Sequence, residues 1–286
     1  MPLINRLVII GVGLIGGSLA RVLREKGEVG EIVGVGRGAK NLIRAVELGV
    51  IDRYTHDPAE AVKDADMVFL SIPVCSIAAM TERIAPALAP GCIVTDGGSV
   101  KGEIVAACEP LMPAGTYFVG GHPIAGTEKS GVEASFAALY ENRRCILTPT
   151  KATEPDALKK VARMWEVAGS EVVLMDSIKH DRVLAAISHL PHMVAYALVN
   201  AVGDYDRFDE SILTYSAGGF KDFTRIASSD PAMWRDIALM NREGILELTD
   251  FFSTYLAKLR TLVERGDAEG LEDFFTRSKE RRDAIR

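Results

Sequence analysis

Two histidine-bearing segments, a serine turn and a basic cluster carry most of the chemistry legible in this 286-residue sequence. In GGHPIAGTEKSG, His122 stands between glycines and Pro123, which restrains its backbone. An imidazole titrates near neutrality, so it is a natural acceptor for an alcohol proton while a hydride is removed. On its own, His122 could equally cap a loop. In DGGSVKG, Ser99 is placed to share the same hydroxyl. SHLPH sets His189 and His192 three residues apart on one helix face. A metal pair there would need a further ligand, usually a carboxylate, and nothing nearby completes a set, so no metal site is expected. The segment SAGGFKDFTRIASSDPAMWRD offers Lys221, Asp222 and Arg225. A guanidinium at 225 suits a carboxylate as a two-pronged clamp, although an ordinary surface arginine fits the pattern as well.

These groups need a co-reactant, and LVIIGVGLIGGSLA suggests which. Gly11-x-Gly13-x-x-Gly16 follows the strand RLVII directly and opens the helix LIGGSLARVLREK. That is the context of a dinucleotide-binding turn. The first glycine allows the tight bend, the second lets backbone approach a pyrophosphate, and the third lets helix pack on strand. The anion would rest on the free N–H groups of the helix start, around Leu14 and Ile15. Ser71, in the strand Met67–Ile72, is placed as a further cofactor contact. A signal peptide is disfavoured, because charged ARVLREKG follows with no small-x-small cleavage site. An NAD site usually has a carboxylate at the end of the second strand. Here that end reads Gly36–Arg37, and Glu31 precedes the strand. Missing repulsion and a nearby guanidinium favour NADP, with NAD as the alternative.

The elements that must position these residues alternate in the first half. Strand-like runs are Arg6–Ile10, Ile32–Gly36, Met67–Ile72, Cys92–Asp96, Tyr117–Gly120 and Arg144–Leu147. Helical patterns between them are Leu14–Lys26, Ala39–Leu48, Ser76–Leu88, Lys101–Leu111 and Val132–Leu139. Strands rich in Val and Ile without polar alternation fit a parallel sheet covered on both faces. One more helix and strand follow, Asp156–Ala168 and Glu171–Met175. After about Asp176 only helices are expected: His180–Val202 interrupted by Pro191, a long helix over Ala232–Val263 after the cap Asp230–Pro231, and Leu271–Ile285. Ser99 and His122 then fall just past strand ends, where such sheets place catalytic groups.

The bulk composition agrees. A net charge of −6 argues against a nucleic-acid partner. No uninterrupted apolar run reaches the roughly 18 residues of a membrane span, so no membrane partner is expected. Cys75, Cys92, Cys108 and Cys145 show neither a C-x-x-C nor a zinc spacing, and read as reduced thiols of a cytoplasmic protein.

Together GVGLIGGSLA, ELGVID, DGGSVKG, GGHPIAGTEKSG, SHLPH and GGFKDFTRIASSDPAMWRDI, in this order over nearly the whole chain, resemble the prephenate/arogenate dehydrogenase family. The resemblance implies an α/β fold: a Rossmann-like parallel-sheet domain over residues 1–176, then an all-helical substrate-binding and dimerisation domain over 177–286. It implies a homodimer with the site between the two domains. The reaction implied is oxidative decarboxylation of prephenate to 4-hydroxyphenylpyruvate, or of arogenate to tyrosine, with NAD(P) as hydride acceptor. By the same resemblance His122 takes a hydrogen bond from the ring hydroxyl, Ser99 assists, Arg225 grips a substrate carboxylate and His192 lines the pocket. Lys221 is a second candidate cation, Thr127 a candidate donor, and Glu128 a candidate partner for those cations in the empty site. Tyrosine is a possible feedback inhibitor at the same site. The sequence begins at its first strand and ends within a helix, so neither the chorismate mutase nor the ACT-type domain of some members is expected. Two other readings stay open. A β-hydroxyacid dehydrogenase would rely on a lysine such as Lys179, which leaves SHLPH and FKDFTR unexplained. A cofactor-sensing module would need the glycine turn but not His122, Ser99 and Arg225.

Overall fold

The computed structural model describes residues 1–127, 129–205 and 212–285. Six parallel strands form the central sheet: β1 (Ile4–Ile10), β2 (Val29–Val35), β3 (Arg53–Thr55), β4 (Met67–Leu70), β5 (Ile93–Asp96) and β6 (Tyr117–Val119). Their order is β3-β2-β1-β4-β5-β6. The order reverses beside β1, and ligands of open parallel sheets bind at such a switch point. Alternation along β1 explains the double cover. Leu7 and Ile9 join one buried cluster, with Leu19 and Leu23 of α1 (Leu14–Glu25) and Val161 and Trp165 of α6 (Pro155–Val167). Val8 and Ile10 join the other, with Ile77 and Ile84 of α4 (Ile77–Ile84) and Ile104 and Val105 of α5 (Gly102–Cys108). The helix after β2 is α2 (Ala39–Glu47). The N-terminal half is therefore a Rossmann-like domain.

The expected strand Tyr117–Gly120 stops one residue short and gives way to a second sheet. A Cβ on Gly120 would lie 2.5 Å from Thr148 Oγ1 and 2.8 Å from Val105 Cγ2, so only glycine fits where the chain crosses. Beyond it β7 (Gly121–Pro123) pairs antiparallel with β8 (Arg144–Leu147), which pairs parallel with β9 (Glu171–Leu174). His122 thus sits inside a strand, opposite Ile146, and not in a loop after one. The expected helix Val132–Leu139 is instead two short 3₁₀ turns, Val132–Ala134 and Ala137–Tyr140. Side chains of the first two helices satisfy its backbone: Asn41 Oδ1 accepts from Val132 N and Ser18 Oγ from Phe136 N. The short β3 and α3 (Pro58–Ala61) carry too few residues for any periodicity and were not expected.

The C-terminal half is helical. Asp176 caps α7 (Ser177–Leu184) through the N–H groups of Ile178 and Lys179. The helix then opens into a wide, π-type turn over Ala185–His189 and resumes as α8 (Leu190–Asp204). Pro191 has no N–H to donate, and the widened turn accommodates it without ending the helix. There follow α9 (Gly218–Thr224), α10 (Pro231–Met240), α11 (Arg242–Arg265) and α12 (Ala268–Asp283). The single long helix expected over Ala232–Val263 breaks at Asn241 (φ −110°, ψ 38°). Its amide is committed elsewhere, donating to Asp181 O at 2.8 Å and to His189 Nδ1 at 3.0 Å. Trp234 and Ile237 of α10 enter the buried cluster on the α4/α5 face, so the helical half is docked on the sheet domain. The composite helix Ser177–Asp204 has 28 residues and an 18-residue window of mean hydropathy 1.3, long and apolar enough to cross a membrane by length and composition. Its polar residues include His180, Asp181, His189 and His192, which build the site below. Leu246, Phe251, Leu256, Val263 and Phe275 of α11 and α12 stand exposed on the same helical half.

Candidate active site

The glycine turn is shaped by close approach. Gly11 has φ +99°, and a Cβ there would lie 2.1 Å from Ser71 O. A Cβ on Gly16 would lie 2.4 Å from Gly11 O and 2.7 Å from Ile9 Cγ2. At Gly13 a Cβ would meet nothing within 4 Å, so the turn is open there. Gly13 is also the N-cap of α1 and supplies no side-chain cap, so the first-turn amides of Leu14 and Ile15 receive none. Ser71 acts from beneath: its Oγ accepts from Gly16 N at 3.1 Å and braces the turn. An open space over uncapped N–H groups fits a pyrophosphate. Arg37 lies exposed after β2, and the neighbouring Gly36 carbonyl is 2.7 Å from His56 Nδ1.

Past the carboxyl end of β5 lies a buried polar cluster. Asp96 and Lys101 are both fully buried, and the Lys101 ammonium donates to Asp96 Oδ2. The same carboxylate accepts from Gly98 N at 2.8 Å and from Gly121 N at 3.1 Å. It therefore ties the turn that carries Ser99, which is half-buried, to the strand that carries His122. His122 Nδ1 is 2.9 Å from His180 Nε2, and His180 Nδ1 is 2.8 Å from Asp181 Oδ1. Asp181 also accepts from Lys101 N and Gly102 N, each at 2.7 Å. His189 joins through Asn241.

A second cluster stands on α8 and α10. His192 donates from Nδ1 to Ser188 O at 2.9 Å and stacks on Trp234, with ring centroids 3.7 Å apart and planes at 23°. His189 meets the same indole edge-on at 5.9 Å. Arg225, in the turn after α9, lies close enough for its charge to act on His192. Lys221 is exposed on α9, and Thr127 is exposed, with its Oγ1 accepting from Lys129 N at 3.2 Å. Glu128 lies outside the described residues. Lys179 is exposed on α7, beside the buried His180. Among the described residues no cluster of side chains has the make-up of a metal site.

Comparison with known proteins places this architecture. Residues 19–174 match the family model of the prephenate dehydrogenase nucleotide-binding domain, and residues 176–277 match that of the prephenate dehydrogenase dimerization domain. This chain belongs to the prephenate dehydrogenase family. It is 37% identical to the prephenate dehydrogenase of Bacillus subtilis over 98% of this chain and 76% of that protein. It is 37% identical to the cyclohexadienyl dehydrogenase of Zymomonas mobilis over 100% of this chain and 98% of that one. Among solved structures, the prephenate dehydrogenase of A. aeolicus, crystallised with hydroxyphenyl propionate and NAD+, superposes with a TM-score of 0.93 at 42% identity, covering 99% of this chain and 98% of that one. The molecule is thus a nicotinamide-dependent dehydrogenase, and the β-hydroxyacid and sensor readings are not favoured.

Two residues of this dehydrogenase's site escape a reading by motif, His180 and Asp181, and the pairing of Asp96 with Lys101 inside DGGSVKG is equally unmarked. The apolar run before Asp96 gives no sign of an ion pair, and His180–Asp181 belongs to no recognisable pattern. For His180 and Asp181 the one available signal was charge at positions that helix periodicity turns inward. Burial pushes the His122 imidazole well below its ordinary value, and the charges of His180, Lys101 and His189 act in the same direction. His180 is also lowered by burial, against a raising hydrogen bond from Asp181. Burial pushes His189 down to about 4. His122 is accordingly neutral at neutral pH, as a base must be.

These depressed values bear on stability. The unfolded chain takes up protons near the ordinary histidine value of about 6.5, whereas the folded rings resist them. Their contribution is full above pH 6.5 and is lost as the pH falls toward 4, by roughly 3 kcal/mol for His189 alone. Urea unfolding at pH 7 and pH 5 should show a lower midpoint at pH 5, and His189→Gln should shrink that difference; equal midpoints in the unaltered protein would refute it.

Proposed function

We propose that this dehydrogenase oxidatively decarboxylates prephenate to 4-hydroxyphenylpyruvate, or arogenate to tyrosine. Residues 1–176 hold the cofactor, and residues 177–286 close the substrate site and pair two copies. The observation that carries the reading is His122: a buried, neutral imidazole held on one nitrogen, on a strand that Asp96 ties to the turn bearing Ser99, in a chain of this family. Bound nicotinamide supplies the hydride acceptor. His122 draws off the ring-hydroxyl proton as the hydride leaves, and Ser99 shares that hydroxyl. The dienone so formed loses its ring carboxylate as CO₂, driven by aromatisation, so the protein supplies positioning and charge rather than a further reactive group. Arg225 takes a substrate carboxylate near His192, with Lys221 as a second candidate cation, Thr127 as a candidate donor and Glu128 as a candidate counter-charge. The relatives' names span prephenate, arogenate and cyclohexadienyl substrates, which supports either acid here.

The free thiols among the described cysteines fit a cytosolic setting. The match to the dimerization model and the exposed apolar residues of α11 and α12 support a homodimer. Cofactor choice turns on the end of β2. The lack of a carboxylate there and the presence of Arg37 favour NADP, whereas the A. aeolicus relative was solved with NAD+.

The test is steady-state turnover of both acids with both cofactors. His122→Asn should lower kcat by about 10²–10⁴-fold while cofactor still binds; unimpaired turnover would remove His122 from its role. Tyrosine, which keeps the ring hydroxyl position and a carboxylate, should compete with substrate in the same assay. Arg37→Ala should weaken NADP by about tenfold, the scale of one charge-assisted contact, and leave NAD unchanged; equal losses for both cofactors would cancel the assignment. Light scattering of the purified protein should give twice the 30.9 kDa chain mass, and the monomer mass would refute pairing.

A further inference from the structure

The geometry points to His180 and Asp181 as positioning residues that fix which nitrogen of His122 carries the proton. This rests on the proposal that His122 is the base. The Asp181 carboxylate accepts the backbone N–H groups of Lys101 and Gly102, one on each oxygen. Those groups can only donate, and they hold the carboxylate in one orientation. Oδ1 also faces His180 Nδ1 at 2.8 Å. A carboxylate in that setting is an acceptor, so His180 Nδ1 carries its proton. The neutral His180 ring then has a bare Nε2, and this atom lies 2.9 Å from His122 Nδ1. His122 must donate there from Nδ1, which leaves its Nε2 as a lone pair. Only that tautomer can take a proton from a substrate hydroxyl.

The surroundings oppose the alternatives. His180 is fully buried and Asp181 has only 13% of its side chain exposed, so water competes poorly for these bonds. Lys101, whose charge disfavours a protonated ring nearby, is itself neutralised by Asp96. His189 faces the same group and is engaged by Asn241. The Cys145 thiol, on the strand paired with β7, takes the His122 backbone N–H, so it leaves the ring untouched. During turnover the hydroxyl O–H bond breaks, and its proton goes to His122 Nε2. The hydride goes to the nicotinamide. The imidazolium keeps its Nδ1 proton, now pointed through His180 at a negative carboxylate, and returns the Nε2 proton to the phenolate oxygen that forms when CO₂ leaves. Asp181 gains no proton at any stage. The logic matches that of hydrolytic triads, in which a carboxylate orients a histidine.

Two measurements test this. The chain has five histidines, so ¹⁵N NMR of histidine-labelled protein without ligands can assign each ring. His122 should be protonated on Nδ1 and bare on Nε2, and His180→Leu should abolish that fixed state. A His122 protonated on Nε2 in the unaltered protein would overturn the proposal, whatever the enzyme turns over. In steady state, His180→Leu leaves Asp181 its backbone partners but breaks the chain of contacts. It should lower kcat about 10²-fold with the Kd for cofactor unchanged. His180→Gln can accept from His122 and donate to Asp181, and should stay within about tenfold of the unaltered enzyme. Residues acting as one unit are not additive, so His180→Leu on a His122→Asn background should cost nothing more. A His180→Leu enzyme within about threefold of the original, or a double variant showing the product of both losses, would refute it. Absence of turnover in the unaltered protein would instead remove the reaction proposed above, and the NMR result would still decide the tautomer.

Discussion

The site depends on one carboxylate caught between two halves of the molecule. Asp181 belongs to the first helix of the helical half, yet its oxygens are taken by backbone N–H groups just after the β5 turn. Charge-assisted bonds of this kind are each worth about 1.5–3 kcal/mol, and here they set distance as well as energy. With Asp181 fixed, His180 is fixed beside it, and His180 meets His122 on the second sheet. Asn241 completes the joint by donating to the Asp181 carbonyl from the break between α10 and α11. Three segments distant in sequence thus converge on one residue, and the cleft geometry follows from that convergence.

Beneath this joint lies an unusual commitment of charge. Lys101 and Asp96 are fully buried, where an ion pair is costly to desolvate and worth keeping only if every remaining bond is made. Asp96 meets that condition through Gly98 and Gly121. The pair does more than hold itself together. It locks the turn bearing Ser99 to the strand bearing His122, so the two residues proposed to share a hydroxyl move as one body. A hydrophobic substitute would fill the volume but could not reach both backbones.

The sequence made the phosphate turn and the alternation of strands and helices plain, because both leave periodic or glycine-spaced traces. Strand order left none: β1 touches β4 through crossovers that no local pattern records. The switch from β6 to β7 was hidden because the strand pattern Tyr117–Gly120 ends in glycines that read as the start of a loop, and what turns the chain into a second sheet is a close approach between Gly120 and Thr148, distant in the chain. His122, Ser99, His192 and Arg225 stood out by residue type and motif. His180 and Asp181 did not, since their significance comes entirely from what they meet in space. The break at Asn241 was invisible for the same reason: an asparagine in a helical pattern reveals nothing of a distant carbonyl and imidazole.

The widened turn at Ala185–His189 has an implication for the helix it interrupts. It carries an extra residue relative to a regular turn, so everything beyond it is rotated by about 100° from where a straight continuation would point. The offset lets a single rod serve two faces of the cleft: His180 and Asp181 aim at the sheet, while His192 lies flat against Trp234. A chain shorter by one residue here would lose the widening that accommodates Pro191. It would also swing the stacked imidazole off its indole.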